Sequence, residues 1–177
     1  MNAQDEVAHA SMHSPLAAFA MRATRLVLGF VLLAMVVLNV ANAVARYAFG
    51  AVLIGADEVL VFGMVWLVMV GLILVTADRS HIALDFLPNR VGMRARLMLM
   101  AVHYAVIFAV CSYAALQSFR FVQRVAALGQ TSMGLALPMY IPHSALVVGF
   151  GGAALVALML LADDLKALFA DRPRSGP

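Results

Sequence analysis

Apolar runs alternate with short polar segments along the chain, and this alternation predicts its main elements. Four runs are long enough to cross the hydrocarbon core of a membrane as helices, because a core of about 30 Å takes about 20 residues. These runs cover residues 26–45, 59–77, 97–116 and 141–162. The pattern therefore predicts an all-α membrane protein with four transmembrane helices.

The polar ends of the chain complete this outline. Residues 1–13 are polar and are expected to form a disordered cytoplasmic tail. Ser14 and Pro15 are typical of a helix start, since a hydroxyl group caps the first turn and proline fits its first position. The segment that follows either lies in the membrane interface as a short helix or extends the first span, and short interfacial helices in the loops are equally open. One membrane domain is expected over 14–165, with a second cytoplasmic tail at 166–177.

The composition agrees with an integral membrane protein. Hydrophobic residues make up 64% of the 177 residues and charged residues 12%, about half the charged share of an ordinary soluble domain. This leaves no room for a separate soluble domain. The net charge of +3 does not indicate nucleic-acid binding, because the basic residues flank the apolar runs, as topology determinants do.

The distribution of lysine and arginine predicts the orientation in the membrane. Three basic residues fall on one side of the predicted spans, namely Arg46, Arg120 and Arg124. The other nine fall on the opposite side, which are Arg22, Arg25, Arg79, Arg90, Arg94, Arg96, Lys166, Arg172 and Arg174. Because positively charged flanks stay in the cytoplasm, both termini and the middle loop are expected on the cytoplasmic side of a bacterial inner membrane.

A polar stripe closes the first span. Asn39, Asn42 and Arg46 lie within roughly 60° of one another at helical spacing, so they share one face. The second span opens with Asp57 and Glu58 at the same membrane surface, and Arg46 is expected to pair with one of these acids. Polar groups are costly in hydrocarbon, so a stripe of this kind normally faces another helix. We interpret it as an interface.

Two further regions suit contacts with a partner. Gly149 and Gly152 belong to a patch of small residues in the fourth span, which another helix can approach closely. The segment 129–142, just before that span, is rich in turn residues and then aromatic at Tyr140. This segment either receives a partner or re-enters the bilayer.

The middle loop mixes charged side chains with apolar anchors. Such a loop is typical of a connector at the membrane surface, where basic side chains meet lipid headgroups. The candidates for these contacts are Arg79, His81, Asp85, Arg94 and Arg96.

The sequence offers little chemistry within the membrane. No predicted span has an acid or base at mid-depth, which a carrier acting alone usually needs. His103 and His143 fall near opposite ends of their spans, so they cannot clamp one haem iron. No catalytic triad is recognisable. We therefore expect neither an enzyme nor a cofactor or metal site. Two alternatives remain open, a stand-alone four-span exporter and a four-helix membrane redox subunit.

The order of the motifs is more specific than any one of them. The asparagine stripe ends in Arg46-Tyr47 and is followed by a longer series: Phe49-Gly50, Glu58, Trp66, Gly71, His81-Ile82, Asp85, Gly129-Gln130-Thr131-Ser132 and Pro138-Met139-Tyr140-Ile141. Over about residues 22–165, this order resembles the small membrane subunit (Q-type small permease) of tripartite ATP-independent periplasmic (TRAP) transporters. Tyr140 is a departure, since the family often has tryptophan there.

The resemblance implies a secondary uptake system with three parts. A periplasmic receptor captures an organic anion such as a carboxylate, and a large membrane subunit translocates it with sodium. The small subunit acts as a scaffold for the large one and helps to dock the receptor. The implied partners are the large subunit, the receptor and membrane lipids, with no nucleic acid. In family terms, Tyr47 and Trp66 join the stripe as candidate interface residues.

Overall fold

The computed structural model describes residues 15–51, 53–78 and 93–170. It contains four helices, α1 (Pro15–Phe49), α2 (Ala56–Ala77), α3 (Met93–Ala127) and α4 (Tyr140–Ala170). Each is long and apolar enough to cross a membrane. An isolated bridge between Thr131 and Pro138 is the extent of β-structure in these described ranges. The predicted all-α fold with four spanning helices is confirmed.

All four helices extend beyond the predicted spans, α2 by only three residues at its start. α1 is continuous from Pro15, so the segment after this proline extends the first span. α3 runs to Ala127 and α4 to Ala170. The apolar runs mark only the part of each helix that fits a bilayer, whereas backbone hydrogen bonding continues into the polar flanks. The predicted tail at residues 1–13 lies outside the described residues.

The helices form an up-and-down bundle in which α4 is central. α4 packs against both α3 and α2, and α1 packs along α2. Small side chains fill the contact between α3 and α4, where Cys111, Ala153 and Ala154 form a buried cluster under Leu72 and Phe108. Small residues let helix backbones approach closely, which fits the extensive contact between these two helices.

Gly149 and Gly152 form the contact between α4 and α2. A Cβ atom at Gly149 would lie 2.6 Å from Cβ of Met69, and one at Gly152 would lie 2.5 Å from Cδ1 of Ile73. The predicted close approach of a helix is present, but that helix is α2 of the same chain. Within the chain, these two glycines therefore serve the packing of α4 on α2.

α1 is the least enclosed helix. Of its described side chains, that of Asn42 alone is buried. Many of its large apolar side chains are more than half exposed, among them Phe30, Leu33, Val37 and Val40. In a membrane, such side chains contact either lipid or another protein.

The two ends of the bundle are built differently. At the end that we call the hairpin end, residues 50–55 join α1 to α2, and residues 128–139 join α3 to α4. The opposite end, which we call the terminal end, holds the start of α1 and the end of α4. The candidate site runs from one end to the other along α1 and α2.

Candidate functional site

Asn42 forms the buried centre of the contact between α1 and α2 near the hairpin end. Its side chain is 4% exposed, and its Nδ2 donates a hydrogen bond of 3.1 Å to Oδ1 of Asp57. The carboxamide Oδ1 is buried without a hydrogen-bond partner among the described residues. Asp57 lies in the first turn of α2, where the positive end of the helix dipole stabilises a carboxylate.

Arg46 completes this cluster one turn further along α1. One of its terminal nitrogens lies 3.6 Å from Oδ2 of Asp57, and the two side chains are 47% and 72% exposed. The expected ion pair therefore forms with Asp57 and not with Glu58. At such exposure, water or a partner protein can still approach both groups.

Glu58 points in another direction and binds the loop between α3 and α4. Its carboxylate accepts hydrogen bonds from the backbone N–H of Gly134 at 2.6 Å and of Leu135 at 3.0 Å. Gly134 also lies close to Gly55, since a Cβ at Gly134 would be 3.3 Å from the Gly55 Cα. This link escaped the sequence analysis because backbone donors leave no mark in the pattern of side chains.

A second ion pair joins the same two helices at the terminal end. Arg25 donates from one guanidinium nitrogen to both carboxylate oxygens of Asp78. Arg25 and Arg46 are 21 residues apart, as are Asp57 and Asp78. At about 1.5 Å per residue the two ion pairs are separated by about 32 Å, close to the thickness of a hydrocarbon core. The pairs thus fit the two surfaces of one bilayer.

Between the ion pairs, residues at seven-residue intervals form one stripe on each helix. We call the two stripes together the α1–α2 face, which consists of Arg25, Leu32, Asn39, Arg46, Asp57, Met64, Gly71 and Asp78. A heptad repeat drifts by only about 20° per interval, so each stripe stays on one side of its helix. Leu32 is 52% exposed and Met64 is 59% exposed. The α1–α2 face is therefore open along its length.

Asn39 and Gly71 are the unusual members of this face. Asn39 is exposed although it lies within the membrane-spanning part of α1. A Cβ at Gly71 would have nothing within 4 Å among the described atoms, so α2 has an empty notch there. The predicted polar stripe is thus divided, because Asn42 faces α2 whereas Asn39, about 60° away, faces outward.

The other side of α1 is apolar. A shallow groove of about 480 Å³ runs along it, lined by Val36, Val37, Val40, Ala41, Val44, Ala45 and Phe49. It contains no polar group that could orient a ligand, so its chemistry suits lipid chains. This contrast makes the α1–α2 face the better candidate for specific recognition.

The loop between α3 and α4 forms a compact structure over residues 130–139, which we call the latched hairpin. The Ser132 N–H donates to the Leu137 carbonyl, and the Met139 N–H donates to the Gln130 carbonyl, both at 2.9 Å. The Leu135 side chain covers Gly55, whose φ of 82° favours glycine. Together with Glu58, these contacts tie the latched hairpin to the start of α2.

The other predicted site residues are not part of the α1–α2 face. Trp66 is partly buried on α2, whereas Tyr47 is 87% and Tyr140 44% exposed near the hairpin end. Arg79, His81 and Asp85 lie outside the described residues. Arg94 and Arg96 belong to α3, but their side chains are also outside the description.

The two histidines among the described residues lie at opposite ends of the bundle. His143, at the start of α4, contacts the Met139 carbonyl at 2.7 Å and packs on Phe121. His103 lies near the start of α3 and packs edge-on against Tyr104. Because α3 and α4 are antiparallel, these positions do not meet. Within the described ranges, no group of three or more His, Cys, Asp or Glu residues could hold a metal ion.

Asp164 is a buried acid two residues beyond the predicted fourth span. It is 4% exposed, and α4 continues for six residues beyond it. The apolar run that marks the predicted span thus stops before the helix does.

A comparison with protein families found a match over most of the chain. The family model described as "Tripartite ATP-independent periplasmic transporters, DctQ component" matches residues 35–167. The match covers more than half of the chain and includes Asn39, Asp57 and the latched hairpin. A comparison with curated proteins found no match.

Proposed function

The chain belongs to the DctQ family, the small membrane subunits of tripartite ATP-independent periplasmic (TRAP) transporters, and from this membership we propose its role in such a transporter. It is a multi-pass protein of the inner membrane whose partners are the other TRAP components. We propose that it acts as a scaffold for the large translocating subunit during sodium-driven uptake of an organic anion such as a carboxylate. The hairpin end then faces the periplasm, as the arginine distribution favours.

The observation that carries the scaffold role is the open α1–α2 face. Asn39 exposes a carboxamide within a membrane-spanning segment. In lipid that group would lack the hydrogen-bond partners that water provides. An unsatisfied polar group there raises the free energy by up to about several kcal/mol. Contact with a polar group on a neighbouring helix removes this cost. An interhelical hydrogen bond of this kind contributes about 0.6–2 kcal/mol.

The shape of the α1–α2 face also favours a helix as its occupant. The heptad stripes are typical of surfaces that pack at small crossing angles in left-handed bundles. Gly71 leaves a notch in which a side chain of the partner can sit. The ion pairs at both ends match the two membrane surfaces, so a transmembrane helix of the large subunit fits between them.

Gly71→Leu tests this proposal in the assembled transporter. We expect the variant to lower recovery of the large subunit with tagged small subunit about tenfold or more, because the leucine fills the notch that the partner occupies. In the folded chain a Cβ at this position meets nothing within 4 Å among the described atoms, and leucine favours a helix more than glycine does.

Gly151→Leu is the matched control. Gly151 lies on α4, away from the α1–α2 face, and a Cβ there also has nothing within 4 Å among the described atoms. This variant should assemble as the wild type does. Normal recovery of the large subunit with Gly71→Leu would refute the proposed face, as would equal loss with both variants.

A further inference from the structure

We propose that Arg120 and Arg124 on α3 bind the headgroup phosphate of an anionic phospholipid in the leaflet at the hairpin end, with its acyl chains lying along α3. The inference goes beyond the proposed function, because it concerns a part of the chain outside the α1–α2 face. It assigns a lipid to the outward side of α3, whereas the scaffold role assigns a partner helix to α1 and α2.

Arg120 lies on the side of α3 opposite its buried side. α3 packs on α4, and its buried positions include Tyr104, Cys111 and Val125. Successive residues of a helix turn by about 100°, so these positions lie about 140–180° around α3 from Arg120. Arg124 follows one turn later, about 40° from Arg120, and both arginines are exposed. The two arginines therefore share the outward side of α3.

Neither arginine forms an ion pair in the part of the chain that the structure describes. The acids described at the hairpin end are Asp57 and Glu58. Asp57 pairs with Arg46 on α1, and Glu58 binds the latched hairpin. Two like charges one helical turn apart repel each other. An anion that contacts both Arg120 and Arg124 removes this repulsion.

The depth of the two arginines favours a lipid phosphate as this anion. α3 ends at Ala127, so Arg124 and Arg120 lie about 4.5 Å and about 10.5 Å before its end along the helix axis. Phe121, next to Arg120, packs on His143 near the start of α4, so this turn lies at the hairpin end of the spanning bundle. Arginine side chains at such positions extend towards the membrane surface and keep their charge among the headgroups. Guanidinium groups bind phosphate through charge-assisted hydrogen bonds.

The outward side of α3 is apolar and exposed below the arginines. Val106 and Tyr113 precede Arg120 at seven-residue intervals and are 56% and 66% exposed. Leu116, about 40° from Arg120 around the helix, is 60% exposed. The distance from Val106 to Arg120 along the axis is about 21 Å, more than half of a hydrocarbon core of about 30 Å. A basic end above an apolar strip of this length fits a phospholipid in one leaflet.

The polar side chains within this strip favour lipid over a partner helix. Gln117 donates a hydrogen bond of 2.9 Å from Nε2 to the hydroxyl of Tyr113 on the same helix. The two side chains thus satisfy part of each other's hydrogen-bonding capacity, which lowers the cost of facing hydrocarbon. Asn39 instead exposes its carboxamide on the α1–α2 face. This difference separates a side suited to lipid from one suited to a helix.

The test uses the complete transporter in nanodiscs that contain a small fraction of a phospholipid with a photoreactive acyl chain. The headgroup of this probe is either anionic phosphatidylglycerol or zwitterionic phosphatidylethanolamine. Mass spectrometry quantifies the lipid adducts at Leu116. The matched control position is Val37, which is 61% exposed in the apolar groove of α1.

Phosphatidylglycerol should label Leu116 about tenfold or more above phosphatidylethanolamine, since each basic residue near the membrane surface contributes about a fivefold preference for anionic lipid. Both probes should label Val37 equally, because the groove has no polar group. The double variant Arg120→Gln with Arg124→Gln should abolish the preference at Leu116. Arg120→Lys with Arg124→Lys should keep part of it, because the charges remain but the planar guanidinium groups are lost.

Three outcomes would overturn the lipid site. The first is equal labelling of Leu116 by the two probes, or the same preference at Val37. The second is a preference that survives the double glutamine variant. The third is the absence of any adduct at Leu116, which would show that the large subunit covers this side of α3. The chain without the large subunit should give the same adducts, so failure of the scaffold role would not by itself remove them.

Discussion

At the scale of single residues, the contacts of α1 with α2 show what a sequence pattern can and cannot reveal. The spacing of Asn39, Asn42 and Arg46 predicts their common side, and the pairing of Arg46 with an acid follows from their shared depth. The pattern does not reveal that Asn42 alone of the three is buried. Asn42 and Asn39 are separated by only about 60° around the helix. Which of the two positions is buried depends on where α2 packs, and the sequence does not give this.

Asn42→Asp should destabilise the chain by about 1–3 kcal/mol, because it places a second carboxylate beside Asp57 and removes the donor of their hydrogen bond. Thermal unfolding in detergent measures this with a thiol-reactive dye, since Cys111 is buried until the protein unfolds. The double variant Asn42→Asp with Asp57→Asn should recover part of the loss, because it restores one donor and one acceptor. Equal stability of Asn42→Asp and the wild type would show that the contact is not formed.

At the scale of helices, the apolar runs predict all four spans but not their full lengths or their neighbours. Gly149 and Gly152 predict close packing by their size alone. A small residue carries no information about which helix approaches it, and the structure brings α2 of the same chain there. One sequence signal could have predicted the α1–α2 face. It is the spacing by a multiple of seven residues between Arg25 and Arg46 and between Asp57 and Asp78.

The glycines of α4 should differ in their tolerance of alanine. Gly149→Ala should cost the most, about 1–3 kcal/mol, because the new Cβ meets Met69 at its Cβ, next to the backbone. Gly152→Ala should cost less, since it meets the end of the flexible Ile73 side chain. Gly151→Ala has open space and should unfold at the wild-type temperature or above. The same dye assay ranks the three variants, and the reverse order would contradict the α2–α4 contact.

At the scale of the whole molecule, the helical hairpin of α1 and α2 is only partly buried against the other helices. α3, α4 and one side of α2 bury one another, whereas α1 and the α1–α2 face stay open. This arrangement agrees with the proposed scaffold role, in which a larger partner contacts the chain along the membrane depth. The sequence predicted the fold class and the family. Which helix faces pack inside the chain and which stay exposed could be seen only from the positions of all four helices.

Site-specific photo-crosslinking tests this account most directly. A photoreactive amino acid at Met64, on the α1–α2 face, should crosslink to the large subunit in membranes that contain the complete transporter. The same amino acid at Met159, which is 51% exposed on α4, should yield little of this product. A crosslink to the large subunit from Met159 with none from Met64 would contradict the account and place the partner on the opposite side of the bundle.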